Sequence, residues 1–89
     1  MEKAKEDAME NKVVVVSIIV RDEQAAAAVN DLLHEYRQYI VGRMGIPYRQ
    51  KGVSVLSVVL DAPNGVINAL TGKIGSLPGV SAKTLFSKY

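Results

Sequence analysis

Residues 13–20 read VVVVSIIV, and residues 53–60 read VSVLSVVL. Both runs consist almost entirely of β-branched and aliphatic side chains, which favour extended backbone, and both are too short for a comfortable buried helix. Each run ends at charged or turn-forming residues, RDE at residues 21–23 and DAPNG at residues 61–65. The two stretches therefore predict two buried strands around which the rest of the fold can be placed.

A helix is predicted after each of these strands. Asp22 is placed to cap the first helix, whose apolar stripe recurs at helical spacing as far as residue 36 or 37. Asn64 is the expected cap of the second helix, which Pro78 and Gly79 should end, because proline disfavours helical backbone before it and glycine tolerates positive φ. Gly72 and Gly75 are expected to allow the second helix to pack closely against the sheet or a partner helix.

Two weaker strands complete the pattern, at residues 39–47 and 80–86. The first contains Gly42, Gly45 and Pro47, a composition typical of an edge or bulged strand. The order β-α-β-β-α-β predicts an α+β fold of the ferredoxin-like βαββαβ kind, with antiparallel sheet order 4-1-3-2 and both helices on one face. We expect a flexible charged tail over residues 1–11 and one domain over residues 12–89.

The two apolar strands should be central, yet helices would cover only one side of the sheet. If the residues at 14, 16, 18 and 20 face the helices, their neighbours must face the other way. An uncovered patch of this kind would reach roughly several hundred Å², more than a soluble monomer normally exposes. The sequence therefore predicts an interface that joins identical chains into a homodimer or tetramer. Its residues are Val13, Val15, Ile19, Val53, Val55 and Val59.

Composition limits the classes of function. The 89 residues are 48% hydrophobic and 22% charged, the balance of a soluble globular domain. The lack of cysteine excludes disulfide and thiolate chemistry and suits a cytoplasmic location. Apolar runs of the roughly 18 residues needed to cross a bilayer are also missing, so we expect no membrane association. The N-terminal residues mix both charge signs, unlike a secretory signal.

Patterns for catalysis and metal binding are weak. His34 is the only histidine and lies beside Asn30 and Asp31, on the expected solvent side of the first helix. A metal site needs several converging ligands, and a nucleophilic triad needs a base beside its nucleophile. One histidine with dispersed carboxylates does not indicate either. The glycines at residues 42–45 and 72–75 lack the spacing of phosphate-binding loops. We therefore expect a protein that is not an enzyme and has no metal or cofactor.

Residues 36–60 carry four basic side chains and no acidic one. Two interpretations stay open: a solvated edge strand protected from unwanted pairing, or a surface for an anion, an acidic partner or nucleic acid. No helix is basic enough to enter a DNA groove, which argues against direct DNA binding. Alternation with Val41 predicts that Arg43 projects over the sheet towards another subunit, as a buried functional charge.

The segments LLHEYRQYIVGRMGIPYRQKGVSVLSVVLD, residues 32–61, and ALTGKIGSLPGVSAKT, residues 69–84, resemble one family, as does VVSIIV at residues 15–20. These are the regulators of the iron-only hydrogenase system, similar in fold to ACT domains and to the C-terminal domain of the nickel-responsive repressor. The glycine-containing first loop of many ACT domains and the histidine and cysteine set of the nickel regulator are missing, so neither ligand carries over.

The resemblance implies a regulatory, ligand-sensing homo-oligomer associated with that hydrogenase system. Its partners would be further copies of the chain, together with a small-molecule ligand or a protein. The alternative is a non-catalytic protein–protein interaction module without a small-molecule ligand. The family likeness transfers a ligand-binding role to the most specific part of the match, GRMGIPYR at residues 42–49. The residues concerned are Gly42, Arg43, Met44 and Tyr48.

Overall fold

The structure is a computed structural model and describes residues 10–88. Its main elements follow the predicted order: β1 Asn11–Val20, α1 Glu23–Glu35, β2 Ile40–Tyr48, β3 Val53–Pro63, α2 Asn64–Gly75 and β4 Val80–Phe86. Short 3₁₀ turns precede β2 and β3. The predicted tail lies largely outside the described residues. The first strand begins two residues earlier than predicted, and the third extends three residues further.

The strands form one antiparallel sheet in the order β2-β3-β1-β4, which is the predicted 4-1-3-2 order read in reverse. Along the central pair, Val15 lies opposite Val59 and Ser17 lies opposite Ser57. The two most apolar strands are therefore the central ones, and the ferredoxin-like prediction is confirmed.

The core fills the space between the sheet and the two helices. The residues of β1 expected to face the helices, Val14, Val16, Ile18 and Val20, are at most 2% exposed. Buried and exposed residues alternate along β1 and β3, since successive side chains of a strand point to opposite faces. The remaining core residues come from the two helices and from β3: Ala25, Val29, Leu33, Leu56, Val58, Leu60, Ala62, Ile67, Leu70 and Ile74.

The two helices begin differently. Asp22 caps α1 as predicted, because its Oδ1 accepts a hydrogen bond from the backbone N–H of Ala25 at 2.7 Å. The predicted Asn64 cap was wrong: Pro63 occupies the cap position, and Asn64 is the first helical residue. Since β3 runs directly into α2, no loop residue is left to hold a capping side chain. The Asn64 Oδ1 is instead buried, without a hydrogen-bond partner in residues 10–88.

At the C-terminal end of α2, the predicted turn is confirmed but the predicted packing is not. Gly79 has a φ of 76°, as expected for the residue that turns the chain into β4. Its carbonyl oxygen accepts a hydrogen bond from the backbone N–H of Arg21 at 2.8 Å. The close packing against the sheet expected at Gly72 and Gly75 was wrong, because a Cβ at either position would meet nothing within 4 Å. Packing against a partner helix stays a prediction. Gly72 faces solvent, since the apolar residues of α2 occupy the opposite side of the helix.

A polar contact joins the outer surfaces of the two helices. The Lys73 ammonium of α2 donates a hydrogen bond to the Tyr36 hydroxyl at the end of α1, at 2.9 Å, and lies 5.2 Å from the centroid of its ring. This hydrogen bond raises the pKa of Lys73, with a smaller contribution from the carboxylate of Glu35. Because Lys73 is exposed, we regard the contact as a surface link and not as a functional site.

Candidate functional site

Both helices of residues 10–88 pack on the same face of the sheet, and we call the opposite face, which neither of them covers, the open face. Strand register and alternation place on it residues from all four strands, including all six predicted interface residues. Their role as an interface stays a prediction. The open face consists of Gly42, Met44, Ile46 and Tyr48 of β2, Val53, Val55, Ser57, Val59 and Asp61 of β3, Val13, Val15, Ser17 and Ile19 of β1, and Ser81, Lys83 and Leu85 of β4.

The open face is apolar over most of its area. Leu85 is 71% exposed, Met44 61%, Ile46 52% and Ile19 45%. Met44, Ile46 and Leu85 extend the predicted patch outward onto both edge strands. Ile46 and Leu85 were not predicted to lie on this face, because their strands are interrupted by glycine, proline or polar residues and lack the uniform apolar pattern of β1 and β3.

The β2 strand contains a bulge that decides where Arg43 lies. The register against β3 shifts between Ile40 and Gly42, so Val41 is an extra residue in the strand. Beyond it, Arg43 pairs with Val58, which is buried on the helix side. The prediction that Arg43 projects over the open face was wrong, because the bulge reverses the alternation. Nor is Arg43 buried in the described chain; it is exposed.

The four residues transferred from the family do not form one cluster within a chain. Gly42, Met44 and Tyr48 lie along the β2 side of the open face, whereas Arg43 lies on the opposite side of the sheet. A single ligand could not contact all four on one chain, since the sheet stands between them. Their role in ligand binding stays a prediction. Arg43 lines a concave surface.

We call that concave surface the α1–β2 groove. It has a volume of about 240 Å³ and lies on the helix side of the sheet, between α1 and the β2–β3 hairpin. The Arg43 Nη2 donates a hydrogen bond to the Oδ1 of Asn30 on α1 at 2.6 Å. This contact joins two residues 13 positions apart, and Asn30 had no predicted role in binding. The groove is lined by Ala26, Asn30, Arg43, Gly45, Ile46, Pro47, Ser54 and Leu56.

A second concavity, the end cleft, adjoins the groove at the end of the sheet. Its volume is about 320 Å³, and Pro47 and Ser54 line both spaces. Its charged lining residues are balanced, with two arginines from the loops and two acidic residues, one of which is the cap of α1. The α1–β2 groove differs because its one charged lining residue is Arg43.

The described residues contain no group of three or more side chains suited to holding a metal ion. His34 lies exposed in the last turn of α1, on the solvent side where the sequence placed it. Its backbone carbonyl accepts a hydrogen bond from the Arg37 guanidinium at 3.0 Å. Neither helix in residues 10–88 has the length and apolar character needed to cross a bilayer.

These features define a small ferredoxin-like α+β domain with an uncovered apolar sheet face and one basic groove. A family model, TM1266-like, described as "Iron-only hydrogenase system regulator, putative", matches residues 12–84. The chain belongs to this family, as the sequence resemblance predicted. The comparison with curated proteins found no match.

Solved structures agree with this assignment. The uncharacterized protein TM1266 from Thermotoga maritima is 36% identical, with a TM-score of 0.86, and the match covers 89% of this chain and 100% of that one. The C-terminal domain of the MgtC protein from Mycobacterium tuberculosis is 14% identical, with a TM-score of 0.66 and coverage of 89% and 90%.

A formyltetrahydrofolate deformylase from Pseudomonas putida KT2440 is 16% identical, with a TM-score of 0.63. That match covers 86% of this chain and 29% of the deformylase. At these levels of identity, the deformylase and the MgtC domain share the fold alone with this chain.

Proposed function

We propose that this protein is a non-catalytic, cytoplasmic regulator of the iron-only hydrogenase system that works as a homo-oligomer and senses a small ligand. Membership of the regulator family supports the regulatory part. The observation that carries the assembly is the open face, where aliphatic side chains on all four strands are exposed to water. In this proposal the regulator itself makes no direct contact with DNA.

Burial of the open face would provide free energy of the same order as the cost of assembly. At about 25 cal/mol per Å², covering roughly 300 Å² on each of two chains corresponds to about 15 kcal/mol before costs. Association itself costs about 4 to 15 kcal/mol. The two magnitudes are comparable, so a stable dimer requires that most of the patch be covered and well packed. A contact restricted to a few of these side chains would not suffice.

The open face suits a second copy of the same chain. Its charged residues are one acid, Asp61, and one base, Lys83, which lie on different strands. A two-fold axis brings each patch against its own duplicate, so the acid of one chain can lie near the base of the other. The small side chains of Ser17 and Ser57 face each other at the centre and allow the two sheets to approach.

Sedimentation velocity at micromolar concentration tests the assembly. We expect the wild-type protein to sediment as a dimer or tetramer and Ile19→Lys to sediment as a monomer, because a lysine in the apolar centre of an interface would be desolvated. Ile19 is 45% exposed in the single chain, so the substitution should leave the fold intact, as circular dichroism can check.

Ala27→Lys is the matched control, since it adds the same charge at an exposed position of α1. It should keep the oligomeric state of the wild type. A wild-type protein that sediments as a monomer at this concentration would contradict the proposed assembly.

A protein–protein interaction module without a small ligand is the second candidate. It is favoured by β2, an edge strand in which every residue from 41 to 48 is exposed and to which a partner could add a strand. Thermal-shift measurements with amino acids, organic acids and nucleotides separate the two, because a ligand that binds only the native state raises its stability. A complete lack of shifts would favour the module.

A further inference from the structure

We propose that the α1–β2 groove binds a small monocarboxylate with an apolar tail, whose carboxylate pairs with the guanidinium of Arg43. This inference rests on the ligand-sensing part of the proposed function and names the site and the chemical class of the ligand. It does not depend on how the chains assemble.

The charge of Arg43 is uncompensated in the described part of the chain. Its guanidinium has five donors, and the one hydrogen bond that it makes goes to the neutral amide of Asn30. The groove lining contains no Asp or Glu, and residues 36–60 contain none either. Several donors therefore stay free for a planar carboxylate, which an arginine can bind through two parallel hydrogen bonds.

Asn30 holds Arg43 on the groove side. Since its Oδ1 accepts from the guanidinium, its Nδ2 amide is left to donate to a bound anion. The Ser54 hydroxyl also lines the groove and makes no hydrogen bond within residues 10–88, so it is a further donor. Three side chains with available donors thus surround one space, a composition that favours an oxygen anion.

The rest of the lining is apolar. Ala26, Pro47 and Leu56 line the groove, and Gly45 leaves its floor open, since a Cβ there would meet Leu56 Cγ at 3.9 Å and nothing else within 4 Å. The 240 Å³ volume equals about eight water molecules at roughly 30 Å³ each, so a carboxylate of about six to eight non-hydrogen atoms fits. An apolar tail gains free energy by leaving water for this surface.

The charged residues that line the two concavities argue against the end cleft as the anion site and against phosphate as the ligand. In the end cleft, acidic residues stand beside the arginines and oppose an anion. In the groove, one guanidinium matches a single negative charge, whereas a phosphate dianion would leave charge unpaired against an apolar lining. The groove therefore suits a monoanion.

An NMR titration with isocaproate tests the proposal, with isocaproamide as the uncharged analogue of equal shape and inorganic phosphate as the alternative anion. We expect isocaproate to shift the signals of Asn30, Arg43 and Gly45 saturably. Isocaproamide and phosphate should bind at least about tenfold more weakly, because hydrogen bonds to a charged group contribute more than neutral ones.

Four variants locate the binding. Arg43→Gln should lower the affinity for isocaproate by about tenfold or more. Arg49→Gln removes the same charge next to the groove and should leave the affinity unchanged. Gly45→Val should abolish binding, because its side chain would fill the floor of the groove. If Gly45→Val does not fold, Arg43→Lys gives a second test. Lysine keeps the positive charge but lacks the planar guanidinium that forms two parallel hydrogen bonds with a carboxylate, so Arg43→Lys should also weaken binding.

The proposal is wrong if isocaproate produces no saturable shifts at millimolar concentration, if isocaproamide or phosphate binds as tightly, or if Arg43→Gln binds like the wild type. These outcomes are separable from the test of assembly. A dimer that does not bind isocaproate would contradict the proposed binding site but not the proposed assembly. A monomer that binds isocaproate would contradict the assembly but not the binding site.

Discussion

Gly79 lies where the chain leaves α2 and turns into β4, and its conformation is set by its neighbours. Its φ of 76° is left-handed, and a Cβ would approach Asp22 Oδ2 at 3.0 Å. Gly72, in the middle of α2, has ordinary helical backbone and open space around it. The two glycines therefore have opposite physical roles, although the sequence assigned a packing role to Gly72.

Alanine at each position should separate these roles. Gly79→Ala should destabilise the fold by about 1 to 2 kcal/mol, since left-handed backbone is costly for any residue with a Cβ. Gly72→Ala should stabilise it by about 0.5 to 1 kcal/mol, because alanine lowers the entropy cost of forming the helix. Chemical denaturation of both variants measures these changes. Equal effects of the two substitutions would contradict the assigned conformations.

The elements with the most uniform composition could be predicted from the sequence. β1 and β3 are nearly all β-branched or aliphatic, so their type, their central position and their buried faces follow from local pattern. α1 was equally clear, since Asp22 marks its beginning and an apolar stripe marks its length.

The candidate groove could not be predicted from the local sequence pattern. The contact between Asn30 and Arg43 depends on how α1 lies across β2 and on a bulge at Val41. The glycines of β2 indicated that a bulge was possible, but not at which residue. One extra residue is enough to exchange the two faces of a strand, so the side of Arg43 was predicted wrongly.

The beginning of α1 offers a test at the scale of an element. Asp22→Ala should destabilise the protein by about 1 kcal/mol, because the Ala25 N–H would lose its acceptor at a helix terminus. Asp22→Asn keeps a side-chain oxygen at the same place and should stay within a few tenths of a kcal/mol of the wild type. Thermal unfolding measures both, and about 1 kcal/mol corresponds to a fall of roughly 4 to 8 °C in a domain of this size. Equal melting temperatures for Asp22→Ala and the wild type would show that the cap contributes nothing.

At the scale of the molecule, a chain of 89 residues buries only about 60 to 65% of its unfolded surface by itself. Part of the apolar surface that stays exposed is the open face. If copies of the chain cover that face, folding and assembly are linked, and the stability of the protein must depend on its concentration.

The melting temperature should therefore rise with protein concentration. A hundredfold increase is worth about 2.7 kcal/mol for each association event, which corresponds to roughly 5 to 10 °C when shared between two chains of this size. Ile19→Lys should melt at one temperature throughout the same range. A wild-type melting temperature independent of concentration would mean that association contributes nothing to stability.

The bulge at Val41 also makes the chain tolerant of a change in length. The pairing of β2 with β3 is fixed at the hairpin, where Tyr48 lies opposite Val53, whereas Ile40 is fixed by its place beside the core. Val41 takes up the mismatch between these two anchors. A related chain with one residue fewer at this point would have a regular strand and still present its arginine to α1. Variation in length before Gly42 is thus absorbed locally.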